Sequence, residues 1–123
     1  NDTAGHDAGD AAIQFCADML REILPYNTVL ARLGGDEFAV LLKDCTERDA
    51  RLVAKQIVQI IAAEPFIWER LKIHLTCSIG IRLIDQTATS PQMVHAQADT
   101  ACHAAKEDGR NRVNLYEQDN EDL

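Results

Sequence analysis

Basic residues are scarce in this chain. Lysine and arginine number 12 against 20 aspartates and glutamates, a formal charge of −8 at pH 7. That balance argues against a nucleic-acid surface, which needs a basic patch or stripe to meet phosphates. An acidic domain that takes a nucleotide must therefore supply a metal ion or a few local cations. Long apolar runs are missing as well. None approaches the roughly 20 residues of a membrane span, and no signal peptide is visible, so no direct membrane contact and a cytoplasmic location are expected. The cysteines, Cys16, Cys45, Cys77 and Cys102, include no C-x-x-C pair. Cys102 with His95 and His103 offers zinc donors, but their spacing fits no structural zinc pattern. Each cysteine is read instead as a small buried hydrophobe, since free thiols are normal in the cytosol.

What remains is an ordinary globular composition, 46% hydrophobic and 26% charged over 123 residues, enough for one domain with a real core. Gly5 to Asp10 reads as a loop entering a helix, with Asp7 or Asp10 as N-cap. Ile13, Cys16, Ala17, Leu20, Ile23 and Leu24 recur at helical spacing, and Pro25 stops the helix. Thr46 caps a second helix, with Asp49 as a looser capping-box acid and an apolar stripe of Leu52, Val53, Ile57, Ile60 and Ile61. A hairpin with its turn near Glu69 and Arg70 follows. From Leu71 to Leu83 apolar residues alternate with mostly polar ones, the pattern of one long strand covered on one face. Ser90 and Pro91 start a third helix, whose inner face carries Met93, Val94, Ala98, Ala101 and Ala105, and Gly109 closes it. Val113 to Tyr116 is a last short strand, so the domain is taken as 1–116. The acidic 117–123 is taken as a tail or linker. Helices packed against a mostly antiparallel central sheet make the fold class α+β.

Chemistry concentrates between two β-type runs, Val29 to Leu33 and Phe38 to Leu42. A Gly34-Gly35-Asp36-Glu37 corner separates them, the layout of a tight hairpin with glycines where positive φ is needed. Phe38 to Leu42 is apolar at every position and reads as a central strand covered on both faces. Adjacent hard-oxygen ligands beside two glycines suit Mg²⁺ carrying a phosphorylated ligand, because the missing Cβ atoms let phosphates approach the backbone. The plainer alternative is a turn whose acids face water.

Further blocks share the chain with Gly34-Gly35-Asp36-Glu37-Phe38. They are Asn1-Asp2-Thr3-Ala4-Gly5-His6-Asp7-Ala8-Gly9-Asp10, Ser78-Ile79-Gly80, Ala98-Asp99, and Ala105-Lys106 leading to Gly109-Arg110-Asn111-Arg112-Val113. In order and spacing they resemble the signatures of the GGDEF family, the diguanylate cyclase domains of bacterial signalling. The resemblance implies a βαββαβ ferredoxin-like or palm-like core similar to adenylyl cyclase catalytic domains, with a helix and the first core strand lying upstream of Asn1. It implies condensation of two GTP into cyclic di-GMP with release of pyrophosphate, dependent on Mg²⁺ or Mn²⁺, between two GGDEF domains facing each other as a homodimer. Sensor or phosphodiesterase domains are expected in the parent chain. The alternative is a catalytically silent domain that binds GTP and regulates an attached phosphodiesterase.

By the same resemblance, Asp36 and Glu37 are the metal-binding and catalytic acids, and Gly34 and Gly35 lie under the triphosphate. Asn1 and Asp10 read guanine, with His6 in the same loop. Lys106 and Arg110 bind phosphate, and their i,i+4 spacing places both on one face at the end of the last helix. Read without the resemblance, those two are favourable cations at a helix C-terminus. The family's first-strand acid and lysine have no counterpart in these residues, so the chain by itself is expected to be inactive. The product-inhibition motif R-x-x-D would need Arg and Asp where Pro25 and Thr28 stand, so that site is expected to be absent.

Overall fold

Turn and cap chemistry places most of the elements. The computed structural model describes residues 2–117, with the side chains of Asp2, Thr3, Ala4 and His6 outside that description. Helix α1 (Asp2–Ile23) leads into the hairpin β1 (Val29–Gly34) and β2 (Glu37–Leu41). Helix α2 (Glu47–Ala63) follows, then β3 (Phe66–Trp68), β4 (Leu71–Ile73), β5 (Ile79–Ile81), α3 (Pro91–Glu107) and β6 (Val113–Leu115). The tail from residue 118 onward lies outside the described residues.

The predicted caps are found. The Thr46 hydroxyl accepts from the Asp49 amide at 3.1 Å, and the Ser90 hydroxyl accepts from the Met93 amide at 3.1 Å with Pro91 in the first turn. Glu69 and Arg70 both have positive φ, 46° and 75°, which gives the second hairpin the twist that a two-residue turn requires. The start of α1 corrects the sequence reading. Gly5 to Asp10 is helical, so neither Asp7 nor Asp10 caps it. An isolated glycine costs a helix only about 1 kcal/mol, and Ala4, Ala8, Ala11 and Ala12 favour continuation.

Leu20 from α1 and Ile57 and Ile61 from α2 form the buried centre, with Leu30, Phe38, Leu75, Cys77 and Ile79 packed against it. The buried stripe of α2 is Ala50, Ala54, Ile57, Val58 and Ile61, at i, i+4, i+7, i+8 and i+11. Leu52 was assigned to that stripe but is 56% exposed, because it lies about 140° round the helix from Ile57. Phe66 links α1 to the second hairpin, its ring centroid 5.3 Å from that of Phe15.

The strands pair as three two-stranded sheets, β1–β2 and β3–β4 antiparallel and β5–β6 parallel. Two sequence expectations change accordingly. The long strand from Leu71 to Leu83 is divided into β4 and β5, since alternation reports which faces are covered but not which residues find a ladder partner. β2 is not a covered central strand either. β1 is its one ladder partner among the described residues, and Val40 and Leu41 are 37% and 44% exposed.

Helix α3 lies directly on β5. A Cβ placed on Gly80 would fall far inside contact distance of the Ala98 carbonyl oxygen and the Cys102 amide nitrogen, so backbone meets backbone there. Gly80→Ala forces the helix away from the strand. We expect a loss at the upper end of about 1–3 kcal/mol, read from urea denaturation.

The Cys77 thiol sits within the core, and burial, with smaller contributions from Cys16 and Cys102, pushes it up to about 11. The folded state therefore keeps a proton that the unfolded chain loses above its ordinary value near 9. Stability is unaffected below that pH and falls as pH rises between the two values, by on the order of 2 kcal/mol at most. Unfolding curves at pH 8 and pH 10.5 should show a smaller alkaline loss in Cys77→Ala than in the parent chain.

Candidate functional site

The β1–β2 hairpin pairs Arg32 with Phe38 and Gly34 with Glu37, and the register shifts between Arg32 and Gly34. This bulge leaves Leu33 opposite no residue and turns the tip. Gly34 and Gly35 complete it with φ of 146° and 50°, which side-chain-bearing residues rarely adopt. Apart from the adjoining residues, no atom lies within 4 Å of a Cβ built on either glycine, so the space beside the tip is open. Asp36 and Glu37 project from it, exposed. Among the described residues neither carboxylate takes part in a hydrogen bond or ion pair.

Helix α3 ends in a wrapped turn. Arg110 donates its amide to the Ala105 carbonyl at 2.9 Å and Gly109 donates to Lys106 at 3.4 Å, with Gly109 at φ 125°; these are the paired bonds of a Schellman motif. Arg110 therefore lies beyond the helix, itself left-handed at φ 63°. It does not share a helical i,i+4 face with Lys106, since helical spacing ends at Glu107. Both side chains are exposed.

Cys102 lies on α3, and its thiol is raised from its ordinary value. Burial raises it first; the Lys106 ammonium lowers it, and the Asp99 and Glu37 carboxylates raise it. A carboxylate of β2 and the cation near the end of α3 thus act on the same thiol in opposite directions. Asp10 is exposed on α1. Asn1 lies outside the described residues, and His6 is placed only by its helical backbone. Among the described residues no three His, Cys, Asp or Glu side chains gather as a metal cluster, so Asp36 and Glu37 stand as a two-carboxylate set.

Arg32 was not singled out from the sequence. Its Nε and Nη2 both donate to the Gly35 carbonyl, at 3.1 and 2.8 Å. The available signal was position alone, an arginine three residues before the second glycine of a tip. Pro25 and Thr28 form a closed turn in which the Thr28 hydroxyl donates to the Pro25 carbonyl at 2.9 Å. A cleft of about 630 Å³ lies elsewhere, lined by Lys55, Val58 and Ala62 of α2 and by Asn111 and Arg112.

A sequence profile described as "Diguanylate cyclase, GGDEF domain" matches residues 1–112. The chain belongs to the GGDEF family. Probable diguanylate cyclase DgcE of Escherichia coli (strain K12) is 45% identical over 117 residues, 95% of this chain and 11% of that protein. Cyclic di-GMP phosphodiesterase PdeB of Shewanella oneidensis is 30% identical over 123 residues, all of this chain and 14% of that protein. The chain thus spans a small part of either relative. The active GGEEF domain of a diguanylate cyclase from Vibrio cholerae superposes with a TM-score of 0.82 at 30% identity, covering 96% of this chain and 74% of that one. The α+β class and the palm-like cyclase fold read from the sequence therefore hold for this GGDEF domain. Among the described residues no helix is long and apolar enough to cross a membrane.

Proposed function

We propose that this GGDEF domain condenses two GTP molecules into cyclic di-GMP, working in a two-fold pair with a second GGDEF domain in cytoplasmic second-messenger signalling. The observation that carries the reading is the pair of unpartnered carboxylates on an open glycine tip. Mg²⁺ commonly binds through one or two carboxylates and completes its shell with waters and substrate phosphates. The Asp36 and Glu37 donor set fits that habit, and Mn²⁺ accepts the same oxygens. When bound, the cation supplies positive charge at the reacting phosphate and acidifies the attacking hydroxyl.

The chain's own residues do the rest. Gly34 and Gly35 leave the space in which a triphosphate lies against the backbone. Lys106, with Arg110 beyond the helix end, offers the phosphates cationic donors that the acidic composition otherwise withholds. Asp10 accepts hydrogen bonds from the N1–H and N2–H₂ edge of guanine, with Asn1 and His6 in the same segment. Glu37, next to Asp36, also serves as the proton acceptor for the 3′-hydroxyl.

A second reading is supported by the relationship to PdeB, whose name is that of a phosphodiesterase. On that reading the domain binds GTP without turning it over and regulates an attached phosphodiesterase. Incubating the full-length protein with GTP and Mg²⁺ separates the two, since only the first yields cyclic di-GMP and pyrophosphate.

Asp36→Asn in the full-length protein keeps the tip's shape and removes one charged oxygen. Turnover should fall by about a hundredfold or more, because divalent ions depend on charged ligands. Stability should stay within about 0.5 kcal/mol, as the side chain is exposed and unpartnered. Product formation and thermal melting measured on the same variant check both statements. Near-parent turnover would remove Asp36 from the metal site.

A further inference from the structure

We infer that Arg32 is a positioning residue for the acidic tip, holding the Gly35 carbonyl so that Asp36 and Glu37 are presented in one direction. The inference rests on the metal-binding reading of that tip.

The tip has little else to hold it. The ladder register shifts between Arg32 and Gly34, and beyond the shift a single pair, Gly34 with Glu37, closes the corner. Gly34 and Gly35 have more backbone freedom than any other residue type, and apart from the adjoining residues neither has a neighbour within 4 Å of where a side chain would begin. The restraint on the Gly35 carbonyl is the Arg32 guanidinium, which reaches round the corner and places Nε and Nη2 on one oxygen, at 3.1 and 2.8 Å. Two donors from one rigid plane fix both the position and the angle of the group they grip.

The gripped atom matters because of what is bonded to it. The Gly35 carbonyl belongs to the same planar peptide unit as the Asp36 nitrogen. Fixing that oxygen fixes the plane from which the Asp36 backbone departs, and Glu37 follows one residue later. Arg32 makes no ion pair with Asp36 or Glu37 among the described residues, so its grip neutralises neither carboxylate. Arginine thus organises the acids through the backbone while leaving their oxygens for a cation. Lysine keeps the charge but has no planar fork, so it cannot replace this function.

Mn²⁺ serves as the probe, titrated into the full-length protein with a non-transferable GTP analogue. Bound and free metal are read by electron paramagnetic resonance well below every variant's melting temperature. Arg32→Lys and Arg32→Met should each weaken Mn²⁺ binding by about tenfold, the loss typical when a group orienting a metal ligand is removed. Val29→Ala, at the far end of the hairpin, serves as a control that perturbs the strands without touching the tip, and it should bind Mn²⁺ as the parent does. Parent-like binding in Arg32→Lys and Arg32→Met would overturn the positioning role while leaving the metal site standing. An equal loss in Val29→Ala would overturn it too, because general hairpin damage would then account for the effect. Absence of Mn²⁺ binding in the parent protein would overturn the metal reading itself, and the positioning role with it.

Discussion

Gly80 has no side chain, and the placement of α3 depends on that. Because the Ala98 carbonyl and the Cys102 amide stand where a Cβ would be, the helix settles onto β5 at backbone distance. Ala101 and Ala105 continue the same contact, and Ala105 is completely buried. Small residues on the helix and a bare position on the strand are complementary parts of one solution. The chain after the helix is then tied back to the same strand. Asn111 donates its amide to the Ser78 hydroxyl, and Ile79 donates to the Arg112 carbonyl. Those ties fix where the Schellman turn sits, and with it the Lys106 end of the helix. A contact made at the strand thus decides where the cation at the end of α3 stands.

Features governed by local chemistry were legible in the sequence. Thr46, Ser90 with Pro91, and Gly109 each announced a cap or turn through its own stereochemistry, the turn at Glu69 and Arg70 was marked by the β-type runs on either side, and each is found there. Features that depend on neighbours far along the chain were less so. Leu52 is as hydrophobic as Ile57, and only the azimuth of the packed helix separates them. The apolar run from Phe38 to Leu42 shows affinity for a core but cannot count the strands beside it. Alternation from Leu71 to Leu83 likewise survives a break in the ladder, because side chains keep facing alternate sides of extended backbone.

The candidate site divides the same way. Its chemical content was legible because the glycines and acids stand next to one another in the chain. Its geometry was not. Spacing put Lys106 and Arg110 on one helical face, yet the turn after Asp108 takes Arg110 through a left-handed conformation and away from that face. Glu37 and Lys106 stand far apart in the chain, yet both act on the Cys102 thiol, and their spacing does not announce it. Arg32 carries no sequence mark of its task, because what it grips is a backbone oxygen, a group every residue possesses.

An exposed tip also sets a physical demand on the proposed chemistry. Asp36, Glu37, Gly34, Gly35, Lys106 and Arg110 are all exposed, so water screens every charge they bring to a triphosphate. Screening of that kind weakens the electrostatic stabilisation on which phosphoryl and nucleotidyl transfer depend. A second surface laid over the tip would exclude that water and lower the local dielectric. A second GGDEF domain would do so while bringing the other nucleotide, whose hydroxyl and α-phosphate are the partners for the first. On the proposed function, pairing would supply both a reactant and a dry site, which the open tip of one domain cannot. The net charge of −8 sets a limit on this arrangement. Two such domains repel at long range, so their approach over the tips requires the cations, protein-borne and metallic, to be concentrated at the meeting faces.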